Sequence, residues 1–181
     1  MSHKHCCKPE QKPTKKGSAN SFLITIGVIT ALLLGVVVYA GLNNGATTQV
    51  LADSQVSLAV AETNYDWGTI DYDGGVVSKS FEITNTSDSV LKLYDVNTSC
   101  MCTTAQLVSG NKKTKKFGMH EKNSSVFEVA PRESAELIAE FDPAFHGPSG
   151  VGPIDRTVTL NTNDSNHSNL SFQVKGNVVK K

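Results

Sequence analysis

The sequence predicts an all-β sandwich of about seven strands, preceded by one transmembrane helix. Two observations support this prediction: an uncharged apolar stretch over residues 22–42, and alternating apolar residues after residue 55. A period of two places successive side chains on opposite faces of a strand, so that one face is buried and the other is wet. Turn-forming residues separate these runs, and short strands separated by turns are typical of a sandwich.

The N-terminal 20 residues differ in charge from the rest of the chain. They carry five lysines and one acid, Glu10, whereas the whole chain has no net charge. Because this segment has few large apolar groups, we expect a disordered cytoplasmic tail over residues 1–20. It also contains a short tract that would suit metal binding or acylation but is equally consistent with no role, namely His3, His5, Cys6 and Cys7.

The apolar stretch that follows predicts a membrane anchor over residues 21–42. Twenty-one helical residues, 22–42, span about 31 Å, which matches the hydrocarbon core of a bilayer. Lysines precede the stretch, and lysines favour the cytoplasmic side. We therefore expect a single-pass anchor with the N-terminus inside the cell. A cleaved signal peptide is the alternative, because residues 38–40 fit a cleavage site, although the apolar run is longer than an ordinary signal core.

The remaining residues divide into a spacer and a β domain. Residues 43–55 are small and polar, which predicts a flexible spacer. Residues 56–181 carry the alternating runs, whose apolar members should form the layer between two sheets. These predicted core residues are Val77, Phe81, Ile83, Leu91, Leu93, Leu137, Ala139, Phe141, Ile154, Val158, Leu160, Leu170, Phe172, Val174 and Val178.

Cys100 and Cys102 are the residues in the β domain most suited to chemistry. On an extended strand they would point to the same side with Cα atoms about 6.5 Å apart, near the upper limit for a disulfide. As thiolates they would converge on a soft ion such as Cu(I) or Zn(II), with Met119, His120 or His146 as further ligands. The pattern leaves three alternatives open: a structural pair, a metal site and a redox-active pair.

The remaining charged segments and the absence of enzyme motifs indicate which partners and activities to expect. Four lysines within residues 112–116 predict a solvated loop, or contact with anionic lipid or an acidic polymer. The rest of the β domain has no basic face, which argues against nucleic acid as a partner. The nucleophile-elbow, zinc-protease and phosphate-loop motifs are absent from the sequence, so we expect no enzyme.

Four segments between residues 64 and 179 occur in the order of a known family: YDWGTI, SFEITNTSDSVLKLYDVNTSCMCTTA, VAPRESAELIAEFDP and TVTLNTNDSNHSNLSFQVKGNVV. The chain resembles a widespread bacterial domain-of-unknown-function family with a predicted Ig-like fold related to ASPM/Hydin-type domains. The resemblance implies an exported Ig-like module without established activity. The sequence departs from the family at Met101, where glycine is common, and in its long basic insertion over residues 110–125.

The sequence thus predicts a non-catalytic binding or scaffolding module on the outer side of a bacterial cell membrane, periplasmic or at the cell surface. Its expected partners are the membrane and an unidentified envelope protein or polymer. Soft-metal binding through Cys100 and Cys102 is the first alternative, and thiol–disulfide exchange is the second. In an oxidising compartment, we expect these two cysteines to be buried, paired or metallated.

A reporter fused to the C-terminus tests the predicted topology. Because lysines precede the apolar stretch, alkaline phosphatase fused after Lys181 should be active, whereas the same enzyme fused after Asn20 should be inactive. A C-terminal fusion active only as a cytosolic reporter would contradict export.

Overall fold

The computed structural model describes residues 19–43, 50–121 and 125–181, which fall into two compact units. The predicted tail, except its last two residues, and most of the N-terminal half of the predicted spacer lie outside these residues. The first unit contains one helix, α1, over Ala19–Asn43, as the apolar stretch predicts. Among the described residues, the structure contains no helix that meets both the length and the hydropathy required of a membrane span.

The second unit is a sandwich of two five-stranded sheets. The first sheet has the order β1-β3-β8-β5-β6, and the second has the order β2-β10-β9-β4-β7. A short 3₁₀ helix at Gly147–Gly150 precedes β9. The strands are β1 Leu58–Val60, β2 Asn64–Asp71, β3 Val77–Asn85, β4 Leu91–Thr98, β5 Thr103–Ser109, β6 Lys112–Lys113, β7 Phe127–Val129, β8 Ser134–Phe141, β9 Gly152–Thr162 and β10 Asn169–Val179.

Seven of the described strands have seven or more residues, and the alternation of apolar residues predicts five of them, β3, β4, β8, β9 and β10. The other three have only two or three residues, too few to show a period. In the long strands the predicted core residues are buried, except Val77, which is partly buried. Side chains from both sheets meet in the layer between them. For example, Phe81 of β3 packs on Phe172 of β10 with ring centroids 5.0 Å apart.

The alternation in β4 changes phase at Asp95. Leu91 and Leu93 are buried, but the next buried residue is Val96. Asp95 has φ of 53°, and the pairing of β4 with β9 shifts between Tyr94 and Asn97. A bulge of this kind adds one residue to a strand. Odd-numbered residues are therefore buried before Asp95, and even-numbered residues are buried after it.

A second, smaller core closes the end of the sandwich where β8 ends and β9 begins. Phe141, the last residue of β8, pairs with Val77 of β3 on one side and Thr103 of β5 on the other. Its ring stacks on Trp67 at 6.1 Å and belongs to a buried cluster with Cys102. Trp67 is partly buried and packs against this core. The other buried members are Ile70, Tyr72, Ile154 and Val178.

At the opposite end, the buried carboxylate of Asp164 joins the two sheets. It accepts hydrogen bonds from the backbone N–H groups of Leu58, at the start of β1, and Asn166, and it contacts His167 Nδ1 at 3.0 Å. Asp53 also pairs with this turn, so part of the predicted spacer contacts the sandwich. Burial acts to raise the pKa of Asp164, but the three hydrogen bonds together hold its pKa below the ordinary value of 3.8.

Replacement of Asp164 by asparagine should lower the free energy of unfolding at pH 7 by about 2 kcal/mol, because an amide brings an N–H₂ group among three donors. A lowered pKa means that the carboxylate stabilises the fold above about pH 4 and that this contribution is lost as the pH falls through the folded-state pKa. Urea denaturation at pH 7 and pH 3 should therefore show a smaller pH effect in Asp164→Asn than in the native chain. The exposed Asp73→Asn serves as control, and equal pH effects in both variants would refute the role of Asp164.

Candidate functional site

The two cysteines lie in the turn between β4 and β5, residues 99–102, which we call the cysteine turn. The expectation that they lie on an extended strand is wrong. The N–H of Thr103 donates to the carbonyl of Cys100, which closes a tight turn. The turn shortens the Cα–Cα distance to 5.3 Å, inside the range for a disulfide, and Cys100 and Cys102 are disulfide-bonded.

Both sheets hold the cysteine turn in place. Ser99 exchanges two hydrogen bonds with Thr157 of β9, each 2.9 Å long. On the other side, the N–H of Asp142, just after β8, donates to the carbonyl of Cys102. The hydroxyl of Thr98 bonds the carbonyls of Cys100 and Thr103. The register of the strands therefore fixes the position of the cysteine turn.

The disulfide closes a loop too small to stabilise the fold strongly. Cys100 and Cys102 are two positions apart. In the chain-entropy model, a three-residue loop contributes about 1.6 kcal/mol, roughly half of what a 15-residue loop contributes. The stability of the fold therefore rests mainly on the buried layer between the sheets, and the pair is available for another role.

The two sulfurs have different surroundings. Cys100 is partly exposed, and its Sγ lies 3.4 Å from Nε2 of His146, an exposed residue in the connection between β8 and β9. Cys102 is 3% exposed and packs in the small core around Phe141. A reagent in solvent therefore meets Cys100 first.

Arg156 of β9 is the charged neighbour of Cys102. Its Nε donates to Cys102 Sγ over 3.2 Å, and its Nη1 donates to the carbonyl of Asp155. The guanidinium also lies 5.9 Å from the ring centroid of Phe141. These contacts hold a permanent positive charge against the buried sulfur. The functional interpretation of the sequence missed this residue, although Arg156 shares the inward parity of Ile154 and Val158.

The structure brings three of the five predicted metal ligands together. The ligating atoms of Cys100, Cys102 and His146 all lie within 4.8 Å of one another, and His120 is not part of this group. Met119 is exposed, and its carbonyl accepts a hydrogen bond from Asn97 of β4. Two cysteines and one histidine are a donor set for soft ions, provided that the disulfide is first reduced.

The four lysines within residues 112–116 are exposed, as predicted, but part of this segment pairs with β5 instead of forming a loop. Lys112 and Lys113 form β6, and Phe117 is buried and pairs with Ala105. Lys116 forms an ion pair with Glu140. Residues 122–124 lie outside the described part of the chain. The ion pair and the buried aromatic residue anchor this segment to the first sheet.

Large apolar side chains are exposed around the cysteine turn. Residues 72–76, the cysteine turn and residues 142–151 all project from the same end of the sandwich, which we call the cysteine end. Four of the seven exposed large apolar side chains described in residues 50–181 lie there. Met101 is 57% exposed and Phe145 is 47% exposed, and the other two are Val76 and Val151.

Comparisons with known proteins identify the family but not an activity. The model of a family described as a protein of unknown function, DUF1573, matches residues 58–178. The chain belongs to this family. A comparison with curated proteins gives no match. The expected resemblance to an Ig-like domain of unknown function is confirmed.

Solved structures similar to this DUF1573 chain have low sequence identity to it. A protein of unknown function from Porphyromonas gingivalis is 22% identical, with a TM-score of 0.51, and the match covers 75% of this chain and 51% of that one. The chain thus spans about half the length of that protein. A PapD-like domain of human CEP192 is 13% identical with a TM-score of 0.43, covering 100% of this chain and 98% of that one. The E. coli chaperone DraB is 11% identical with a TM-score of 0.39, covering 69% and 56%.

Reduction of the disulfide should leave the sandwich folded. We expect the free energy of unfolding to fall by about 1–2 kcal/mol in a phosphine reductant, because only a three-residue loop is opened. Urea denaturation with and without reductant measures this difference, with Cys100→Ser, Cys102→Ser as the reference that reductant should not change. Complete unfolding on reduction would show that the fold depends on the disulfide.

Proposed function

We propose that this DUF1573 chain is an exported, non-catalytic binding module that receives an apolar polypeptide segment at its cysteine end. The observation that carries the proposal is the exposure of Met101 and Phe145 beside the disulfide. The ring of Phe145 packs edge-on to His146, whose Nε2 lies 3.4 Å from Cys100 Sγ, so this ring lies near the disulfide. Exposed apolar side chains at one end of a domain can mark a protein-binding surface. Phe145 offers an aromatic side chain of the type that is enriched in interface cores.

The edges of the sheets argue against binding by strand addition. Three of the four edge strands, β1, β6 and β7, have only two or three residues. The fourth, β2, is longer, but it carries Asp66 and is interrupted at Gly68, where φ is 66°. Short, charged and irregular edges discourage pairing with another strand. The loops at an end of the sandwich are the better candidate surface.

A groove of about 810 Å³ at the opposite end has less support. It is lined by Leu51 and Val90 together with charged residues. Asp88 is already paired with Arg132, and the backbone of Asp53 is bonded to the Asp164 turn. These groups are engaged within the chain, so we assign the partner to the cysteine end.

Export is part of the proposal, and the apolar stretch with its preceding lysines supports it. A disulfide between Cys100 and Cys102 is compatible with it, because disulfides persist in oxidising compartments. The N-terminal segment would then deliver the sandwich to the outer side of the cell membrane, either as an anchor or as a signal.

Soft-metal binding is the second candidate function, favoured by the proximity of Cys100, Cys102 and His146. In the reduced chain these residues would hold Cu(I) or Zn(II) and leave one position for another ligand. The guanidinium of Arg156, 3.2 Å from Cys102 Sγ, opposes a metal cation at that sulfur. Titration of the reduced chain with Cu(I) and Zn(II) should therefore show weak binding that strengthens in Arg156→Gln and weakens in His146→Ala.

A displayed peptide library tests the binding surface on the purified full-length chain. We expect selected peptides to share apolar residues and to bind Phe145→Ser and Met101→Ser at least tenfold more weakly, because these substitutions remove exposed apolar area. Leu51→Ser, which changes an exposed apolar residue at the opposite end, is the matched control. Peptides whose affinity depends on Leu51 but not on Phe145 or Met101 would contradict this assignment.

A further inference from the structure

We infer that the Cys100–Cys102 disulfide exchanges with cysteine thiols of a partner polypeptide, with Cys100 as the sulfur attacked and Cys102 as the leaving thiolate. The inference adds a covalent step to the proposed binding function. It rests on the proposed function in one respect only: the polypeptide bound at the cysteine end provides the attacking thiol. The exchange chemistry itself depends on the surroundings of the two sulfurs.

Access determines which sulfur reacts. Thiol–disulfide exchange requires a thiolate to reach one sulfur of the disulfide. Cys100 is partly exposed beside His146, whereas Cys102 is buried against the small core that contains Phe141. An incoming thiolate therefore bonds to Cys100 Sγ, and Cys102 Sγ departs into the protein.

Arg156 stabilises the departing sulfur. Its Nε lies 3.2 Å from Cys102 Sγ in the oxidised chain, so the positive charge is in place before the sulfur becomes anionic. The hydroxyl of Thr103, 3.7 Å from the same sulfur, is a second donor within sulfur hydrogen-bond range. A thiolate that is stabilised in this way leaves faster, and stabilisation of the reduced pair makes the disulfide a stronger oxidant.

The exchange takes place in two balanced steps. A partner thiol loses its proton to solvent, and its thiolate attacks Cys100 Sγ. As the new sulfur–sulfur bond forms, the Cys100–Cys102 bond breaks and its electron pair remains on Cys102 Sγ. A second partner thiolate then attacks the partner sulfur of the mixed disulfide and releases Cys100 as a thiolate. Two partner thiols are thereby oxidised to one disulfide, and the Cys100–Cys102 pair is reduced by two electrons.

The side chains around Cys100 indicate what kind of cysteine is exchanged. Met101 is exposed within the turn, and the ring of Phe145 packs edge-on to His146, with centroids 5.1 Å apart. A cysteine flanked by apolar residues could cover both side chains while its sulfur approaches Cys100. The expected substrate is therefore an apolar cysteine-containing segment rather than a small free thiol.

Equilibration with glutathione tests the leaving-group role of Arg156. The experiment uses the chain with Cys6→Ser and Cys7→Ser, so that Cys100 and Cys102 are the only cysteines that can react. We expect the pair to equilibrate with mixtures of reduced and oxidised glutathione, and Arg156→Gln to lower the equilibrium constant for reduction about tenfold, or about 30 mV. Arg156→Lys, which keeps the charge, should retain most of the native value, and Arg132→Gln should not change it.

Two results would overturn the role of the pair. One is a disulfide that stays oxidised across the whole range of glutathione mixtures in the folded chain. The other is an Arg156→Gln variant, folded by circular dichroism, whose equilibrium constant matches that of Arg132→Gln. The first result would mean that the pair does not exchange, and the second would mean that Arg156 does not prepare it for exchange.

Single-cysteine variants test which sulfur is attacked. In the same background, Cys102→Ser leaves Cys100, which should react with oxidised glutathione at least tenfold faster than the buried Cys102 of the Cys100→Ser variant. The two rates should become equal in concentrated urea, where burial is lost. A folded chain in which Cys102 reacts as fast as Cys100 would contradict the assignment.

Phe145→Ser separates the exchange from the proposed binding function. It should slow the reaction with a selected apolar cysteine peptide at least tenfold more than it slows the reaction with glutathione, because glutathione has little apolar area to bury. If the native chain exchanges with glutathione, but Phe145→Ser slows the peptide reaction no more than the glutathione reaction, the apolar binding surface alone is rejected. Normal peptide binding without any exchange would reject the present inference alone.

Discussion

The packing of Phe141 beneath the cysteine turn is the interaction on which the rest of the site depends. Phe141 ends β8 and lies between Val77 and Thr103 in the first sheet, so the register of three strands fixes its position. Its ring contacts Trp67 from the second sheet, and the small core around it includes Cys102. Burial of one aromatic ring thus holds both sheets and the buried sulfur in one place.

The same register places the chemical groups around the disulfide. The chain leaves β8 just after Phe141, and within five residues it brings His146 to the exposed side of Cys100. It then returns through β9, where Arg156 faces the buried side of Cys102. One sulfur therefore faces solvent and the other faces a fixed cation. Neither property depends on a stabilising role of the disulfide, since its loop is too short to constrain the unfolded chain strongly.

Five of the seven long strands could be predicted from the sequence because burial of one face forces a period of two, as in the buried Leu137, Ala139 and Phe141 of β8. The phase change at Asp95 could not, because a positive φ at a non-glycine residue leaves little mark in the sequence. For the site, the cysteines and His146 stood out by residue type. Arg156 could also have been recognised, because a charged residue at a strand position that the alternation assigns to the buried face requires a partner. Its partner, Cys102, depends on the turn and the register.

The reduced state provides the most direct test that a preorganised cation faces the buried sulfur. A crystal structure of the reduced chain should retain Phe141 in its pocket and Arg156 Nε within hydrogen-bond distance of Cys102 Sγ, close to the 3.2 Å of the oxidised chain. Separation of Cys100 Sγ from Cys102 Sγ should be the main change. A reduced chain in which Arg156 points to solvent, away from Cys102, would contradict the preorganised site.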